Sequence, residues 1–142
     1  VSALKVKTTF EQKLEEMIEN IKEKIVFTGF INYDEIYKMY AIADVAVLPS
    51  IWNEPAGLTI IESLVSGVPL ITTRVGGIPE YVSDDSAIIL EKNSDLVNNI
   101  ARSIEVLMKD KEKREKMSLA GKKCSNALNL QSYYDNFIKM FE

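Results

Sequence analysis

Short, wholly apolar segments alternate with longer amphipathic segments along this 142-residue chain, and this alternation constrains the fold more than any other feature. The apolar segments are rich in Val, Ile and Leu, as parallel strands covered on both faces are. They are Ile25–Phe30, Asp44–Ser50, Pro69–Thr73 and Ala87–Leu90. The pattern predicts an α/β fold, with a Rossmann-like parallel sheet and helices on both of its faces.

Apolar residues at steps of three and four predict the helices between and after these strands. The expected helices are Thr9–Lys24, one through Ile36, Tyr40 and Ala43, one from Gly57 to Gly67, one that starts at Ser94, Lys111–Leu128 and Gln131–Phe141. Asn32 or Asp34 is expected to cap the second of these helices, and Ser94 the fourth. The helix that begins near Gly57 is expected to bury Leu58, Ile61, Leu64 and Val65, and Gly67 is placed to end it. Arg74–Glu80 is expected to be a loop.

Composition excludes several classes of function. The chain has 17 Lys and Arg against 21 Asp and Glu, so it lacks the basic field that binds nucleic acid. It has no histidine, and Cys124 is its one cysteine, which excludes disulfides, zinc clusters and histidine-dependent catalysis. No long apolar run or signal peptide is present, so we expect one cytoplasmic domain over residues 1–142.

Ligands of parallel α/β sheets bind at the carboxyl ends of the strands. Three loops are expected there: Phe30–Asn32, Ser50–Gly57 and Arg74–Glu80. The second loop leads into a helix, where the free amides of Ala56, Gly57 and Leu58 and the positive end of the helix dipole would attract a phosphate or diphosphate. The alternative is that Pro55 and Gly57 only shape the entry into the helix.

Two glutamates flank this helix start, with seven residues between them. Glu62 lies at the edge of the apolar helix face, where a half-buried carboxylate suits the two hydroxyls of a ribose. Glu54 lies in the loop, where it can reach the part of a ligand beyond the phosphates. A solvated helix glutamate and a surface charge are the plainer alternatives. Gly29, Phe30 and Ile31 either face a planar base or form a simple turn.

Together these residues resemble the C-terminal, donor-binding half of the GT-B glycosyltransferases of family 4, a retaining group that depends on nucleotide sugars. The segments that carry the resemblance are VFTGFI, IYKMYAIADVAVLPS and EPAGLTIIESLVSGVPLITTRVGGIPE. The Glu54 to Glu62 spacing matches the family, as do the Gly-X-Pro turn and the Gly-Gly-X-X-Glu loop that follow. The match runs from about Phe10 to Glu142.

The resemblance implies a role for each matching residue. Glu62 would hold the ribose hydroxyls, and Glu54 would contact hydroxyls of the donor sugar as the catalytic residue. The donor-sugar and diphosphate site would consist of Glu54, Pro55, Ala56, Gly57, Leu58 and Thr59, and the nucleotide site of Gly29, Phe30, Ile31 and Glu62. The resemblance implies a UDP-sugar as the donor and neither a metal nor another cofactor.

Two departures from the family pattern bear on activity. The family usually has Phe where this chain has Ala56, and the family's Gly-Arg…Lys-Gly phosphate clamp has no counterpart, since Lys5 and Lys7 lack its spacing. A diphosphate leaving group needs its growing charge neutralised. We therefore expect the chain to be inactive alone, as a fragment of a two-domain enzyme truncated at its N-terminus.

The expected partners follow from the same resemblance. They are the nucleotide sugar, an N-terminal acceptor-binding domain of the same protein, and a glycan or lipid-linked acceptor, the last allowing peripheral association at the inner face of the membrane. The alternative function is a non-catalytic nucleotide-binding or subunit-pairing module of a split glycosyltransferase. A sugar epimerase of the same fold is disfavoured because the spacing of the glutamates belongs to transferases.

Overall fold

A computed structural model describes residues 8–140, apart from the side chain at position 136. The chain forms two compact units, Val1–Tyr33 and Asp34–Glu142. In the first unit, helix α1 (Thr9–Ile18) continues as a 3-10 helix (Glu19–Lys24), which confirms the helix expected there. A capping box starts α1: the Glu11 amide donates to the Thr8 hydroxyl, and the Thr8 amide donates to the Glu11 carboxylate.

The prediction of a buried strand over Ile25–Phe30 is wrong. These residues form neither strand nor helix, and the side chains of Val26 and Phe30 are 83% and 90% exposed. A strand needs a neighbour that satisfies its backbone hydrogen bonds, and no strand pairs with this segment within residues 8–140. Helix α1 likewise buries none of its residues, although its apolar residues recur at the steps of three and four that usually mark a buried face.

The second unit contains a parallel sheet, which confirms the predicted fold class. Its strands β1 (Ala46–Leu48), β2 (Leu70–Thr73) and β3 (Ala87–Leu90) lie in the order β1-β2-β3. Strand β1 is shorter than the expected Asp44–Ser50 and is only partly covered, because one of its edges has no neighbour among the described residues. Strand β3 has the predicted bounds.

Six helices accompany this sheet in the described part of the second unit. They are α2 (Ile36–Ile42), α3 (Leu58–Ser66), α4 (Ile78–Tyr81), α5 (Leu96–Lys109), α6 (Lys111–Asn126) and α7 (Leu130–Lys139). Helix α4 begins inside the expected Arg74–Glu80 loop, ends one residue beyond it, and has proline in its first turn, a position that proline favours. The expected caps are wrong, since Glu35 precedes α2 and Asp95 precedes α5, each without a capping side-chain bond.

The core lies on both faces of β2. Leu70 belongs to a cluster with Ile60 and Leu64 of α3, whereas Ile71 packs with Leu107 and Met117 of α5 and α6. Neighbouring residues of a strand point to opposite faces, so β2 is covered by helices on both sides, as predicted.

The buried face of α3 differs from the predicted one. Leu58 and Val65 are 69% and 58% exposed, while Ile60, Ser63 and Leu64 are buried. The segment is apolar nearly all round, so periodicity alone does not select one face. Ser63 fits the core because its hydroxyl donates to the Val68 carbonyl at 3.1 Å.

Gly67 ends α3 in the left-handed conformation, with φ of 72°, as the sequence predicts. Within residues 8–140, no helix combines the length and the apolar character that crossing a bilayer requires.

Candidate functional site

An open cleft of about 270 Å³ lies at the carboxyl end of β1, in the second unit. Its walls come from the end of β1, the loop that leaves β1 and the start of α3, and its lining includes Glu54, Gly57 and Thr59. This is where the strand-end rule places a ligand in a parallel sheet. The structure therefore brings the two ends of the predicted Glu54–Thr59 segment to one cleft.

Two buried threonines of β2 hold the end of β1. The Thr72 hydroxyl donates to the Leu48 carbonyl at 2.9 Å, and the Thr73 hydroxyl donates to the Ser50 carbonyl at 2.6 Å. Both hydroxyls are fully buried, so these bonds satisfy groups that would otherwise be costly to bury. They fix where the loop toward Glu54 begins.

The loop that follows β2 packs directly on the backbone around Glu54. The Gly77 amide donates to the Glu54 carbonyl at 2.8 Å. A side chain at Gly77 would lie 2.6 Å from the Pro55 carbonyl oxygen, and one at Gly76 would overlap the Glu54 backbone. Gly76 also has a φ of 53°, which L side chains rarely adopt. The close approach of the two loops requires both glycines.

The amides at the start of α3 differ from one another in their partners. Gly57 precedes the helix, and its amide donates to the Tyr81 hydroxyl at 2.9 Å. The amides of Ala56, Leu58 and Thr59 have no hydrogen-bond partner in the part of the chain that the structure describes. Of the three amides that the sequence predicts for an anion, two are thus open, and Tyr81 occupies the third.

Tyr81 also lies close enough to Glu54 to sense its charge. Burial raises the pKa of the Tyr81 phenol, the hydrogen bond from Gly57 lowers it, and the Glu54 carboxylate raises it further. The side chain of Glu54 itself is half-buried, and the Ser50 hydroxyl donates to its Oε2 at 3.4 Å. A carboxylate with one long hydrogen bond keeps most of its acceptor capacity for a ligand.

Glu62 projects from α3 toward α2 and is half-buried, at the edge of the apolar face as expected. The Tyr40 hydroxyl of α2 lies 3.2 Å from Glu62 Oε2 and 3.0 Å from the Thr59 carbonyl oxygen. Burial first, then the Glu62 charge and the hydrogen bond, raise the pKa of Tyr40 to about 12. Sequence reasoning missed this partner, although a tyrosine on the apolar face of α2 is a signal for a polar contact.

Stability at alkaline pH should report this contact. Tyr40 titrates near 10.0 when unfolded and near 12 when folded, so the unfolded chain loses the proton first as the pH rises. The stability that depends on neutral Tyr40 is complete below pH 10 and is lost between pH 10 and 12. Urea unfolding at stepped pH should show that Tyr40→Phe lacks this part of the decline.

The control for this measurement is Tyr37→Phe, because Tyr37 is an exposed tyrosine on the same helix. It should keep the decline of the parent chain. An equal decline in both variants would show that folding does not raise the pKa of Tyr40.

The remaining candidate residues lie elsewhere. Gly29, Phe30 and Ile31 belong to the first unit, and their contact with a base stays a prediction. Arg74, which follows β2, pairs with Glu91 at 2.9 Å and with Asp84 at 3.4 Å. Lys5 and Lys7 lie outside the described residues.

The parallel sheet and its strand-end cleft define an α/β domain of the GT-B type, as comparison with solved structures shows. Sucrose-phosphate synthase from Thermosynechococcus elongatus superposes with a TM-score of 0.79 at 22% identity, over 99% of this chain and 36% of that chain. The C-terminal domain of LpcC, a glycosyl transferase group 1 family protein from Francisella tularensis, gives 0.72 at 29% identity, over 83% of this chain and 61% of that one.

The chain belongs to the family described as glycosyl transferases group 1, whose model matches residues 7–124. It is 34% identical to the putative glycosyltransferase YtcC of Bacillus subtilis over 107 residues, which are 75% of this chain and 26% of YtcC. It is 36% identical to the sulfoquinovosyl transferase SQD2 of Arabidopsis thaliana over 95 residues, which are 63% of this chain and 18% of SQD2. The chain thus spans only about a quarter or less of the length of these two relatives.

Proposed function

We propose that this chain is the donor-binding domain of a retaining family 4 glycosyltransferase, which transfers a sugar from a nucleoside diphosphate to a glycan or lipid acceptor. One observation carries the proposal: two half-buried glutamates, Glu54 and Glu62, flank a helix start with open amides, beside a strand-end cleft that Glu54 and Thr59 line. Carboxylates accept bonds from sugar hydroxyls, and helix N-termini bind phosphate groups. A nucleotide sugar combines both kinds of group.

Each part of the donor has its own contacts in this proposal. The open amides of Ala56, Leu58 and Thr59 receive the diphosphate, together with the dipole of α3. Glu54 accepts bonds from the hydroxyls of the transferred sugar, and Glu62 from those of the ribose. Pro55 and Gly57 shape the turn between these two glutamates.

For the full-length protein, the family resemblance supports three further proposals, on the donor, on cofactors and on a second domain. The donor is a UDP-sugar, and no metal or other cofactor takes part. An N-terminal domain of the same cytoplasmic protein supplies the acceptor site and cations for the leaving diphosphate, because the negative charge grows there in the transition state.

Calorimetric titration of the full-length protein with UDP and GDP tests this proposal. The wild type should bind one of them, and Glu62→Ala should weaken that binding about 10- to 100-fold, the loss expected when hydrogen bonds to a charged group are removed. Glu105→Ala is the control, since Glu105 is an exposed glutamate of another helix, α5.

Two results would contradict parts of the proposal. Unchanged binding by Glu62→Ala would remove its role at the ribose. Binding of nucleotide without sugar transfer to any glycan or lipid acceptor would favour the alternative, a non-catalytic nucleotide-binding module.

A further inference from the structure

Tyr40 links two helices at the candidate nucleotide site. Its ring comes from α2, and its hydroxyl reaches two acceptors on α3, the Thr59 carbonyl oxygen and Glu62 Oε2, at 3.0 and 3.2 Å. A phenol has a single proton, so this proton is shared between the backbone and the carboxylate. The Thr59 carbonyl belongs to the rigid first turn of α3, and it therefore fixes the hydroxyl relative to Glu62.

The orientation of Glu62 depends on this hydroxyl. Within the described residues, Tyr40 provides the one hydrogen bond to the Glu62 side chain. Of the two carboxylate oxygens of Glu62, only Oε2 receives this bond. A glutamate side chain has several rotamers of similar energy, and a donor fixed on a neighbouring helix favours one of them. Oε1 remains available to a ligand. Because the pKa of Tyr40 is about 12, the hydroxyl stays a neutral donor at physiological pH.

We propose that Tyr40 is a positioning residue for donor binding: its hydroxyl holds Glu62 by Oε2 so that Oε1 accepts from the ribose hydroxyls. The inference rests on the proposed function of Glu62 and adds the group that prepares it. A carboxylate already oriented before binding loses less side-chain entropy when the nucleotide arrives. Tyr40 should thus affect nucleotide affinity without touching the nucleotide.

The test compares Tyr40→Phe with Tyr37→Phe in the full-length protein. Each substitution removes one hydroxyl from α2, but Tyr37 is exposed and lies on the same helix without a contact to Glu62. Tyr40→Phe should raise the Kd for UDP about fivefold, the effect of one hydrogen bond of ordinary strength, and Tyr37→Phe should leave it unchanged. The KM for the donor should rise similarly, while kcat changes less than about twofold, because positioning acts on binding.

Two further measurements separate positioning from a general structural role. With 2′,3′-dideoxyuridine diphosphate, which lacks the ribose hydroxyls, Tyr40→Phe should bind as the wild type does. On the Glu62→Ala background, Tyr40→Phe should add no further loss, since coupled residues are not additive. Equal losses with both nucleotides, or an undiminished loss on the Glu62→Ala background, would overturn the inference.

The proposed function and this inference fail in different ways. If Glu62→Ala weakens UDP binding and Tyr40→Phe does not, only the positioning role of Tyr40 is refuted. If Glu62→Ala itself has no effect, the ribose assignment is refuted and the role of Tyr40 with it. Thermal unfolding of both tyrosine variants shows whether either loss reflects an unfolded fraction.

Discussion

Glu54→Gln is expected to lower kcat of the full-length protein about 100- to 1,000-fold, while its affinity for UDP changes less than about threefold. Glutamine has the size of glutamate but not its charge, and Glu54 lines the cleft at the carboxyl end of β1. A sugar that loses a diphosphate gains positive character, so bonds from its hydroxyls to a carboxylate strengthen in the transition state. Initial rates at saturating donor, beside calorimetry with UDP, measure both quantities.

The Glu54→Gln experiment uses Glu105→Gln as its control, because Glu105 is exposed on α5 and lies outside the cleft. This variant should keep both kcat and UDP affinity. A Glu54→Gln protein that loses more nucleotide affinity than turnover would show that the assignments of Glu54 and Glu62 are exchanged.

Gly76→Ala is expected to lower the free energy of unfolding by about 3 kcal/mol, because it combines backbone strain with a backbone clash. The φ of 53° disfavours any L residue, and the added methyl group would overlap the Glu54 carbonyl and amide. The clash should push the loop that carries Glu54 away from the cleft. We therefore expect turnover to fall as well, even at temperatures where the variant is fully folded.

Gly67→Ala is the matched variant for Gly76→Ala, because it introduces similar backbone strain without a clash against backbone atoms. Gly67 has a similar φ of 72°, but an added methyl group would meet only side chains, the flexible end of Lys122 and the Ser118 hydroxyl at 2.9 Å, rather than backbone. This variant should lose only about 1 kcal/mol, the cost of the left-handed conformation. Denaturant unfolding measures both variants, and equal losses would show that the Glu54 loop yields to the methyl group without cost.

Local signals were sufficient for much of the fold. The four apolar residues of β3 and the glycine that ends α3 follow from residues within a few positions of them, and both lie where the sequence places them. The turn from β1 into α3 is similarly local. Ile25–Phe30 carries the same apolar signal as β3 but pairs with no strand in the described chain, and sequence periodicity does not show whether a neighbour exists.

The tertiary hydrogen bonds at the candidate site could not be predicted from local sequence patterns. Tyr40 and Glu62 are 22 positions apart, and Gly57 and Tyr81 are 24 positions apart. Each pair meets because α2 and α4 pack beside α3, and no spacing rule within one helix or strand connects them. The sequence thus indicates which carboxylates and amides matter, whereas tertiary packing decides which of them already have partners.

The loop that carries Glu54 is held by hydrogen bonds at two points, Ser50 and Glu54. Thr73 and Gly77 hold the main chain at Ser50 and Glu54, so the intervening residues 51–53, whose side chains are exposed, are not needed to place the acid. Changes at residues 51–53 should therefore leave the Glu54 carboxylate in its position. Under the proposed function, this part of the loop can vary between related proteins without moving the proposed catalytic acid.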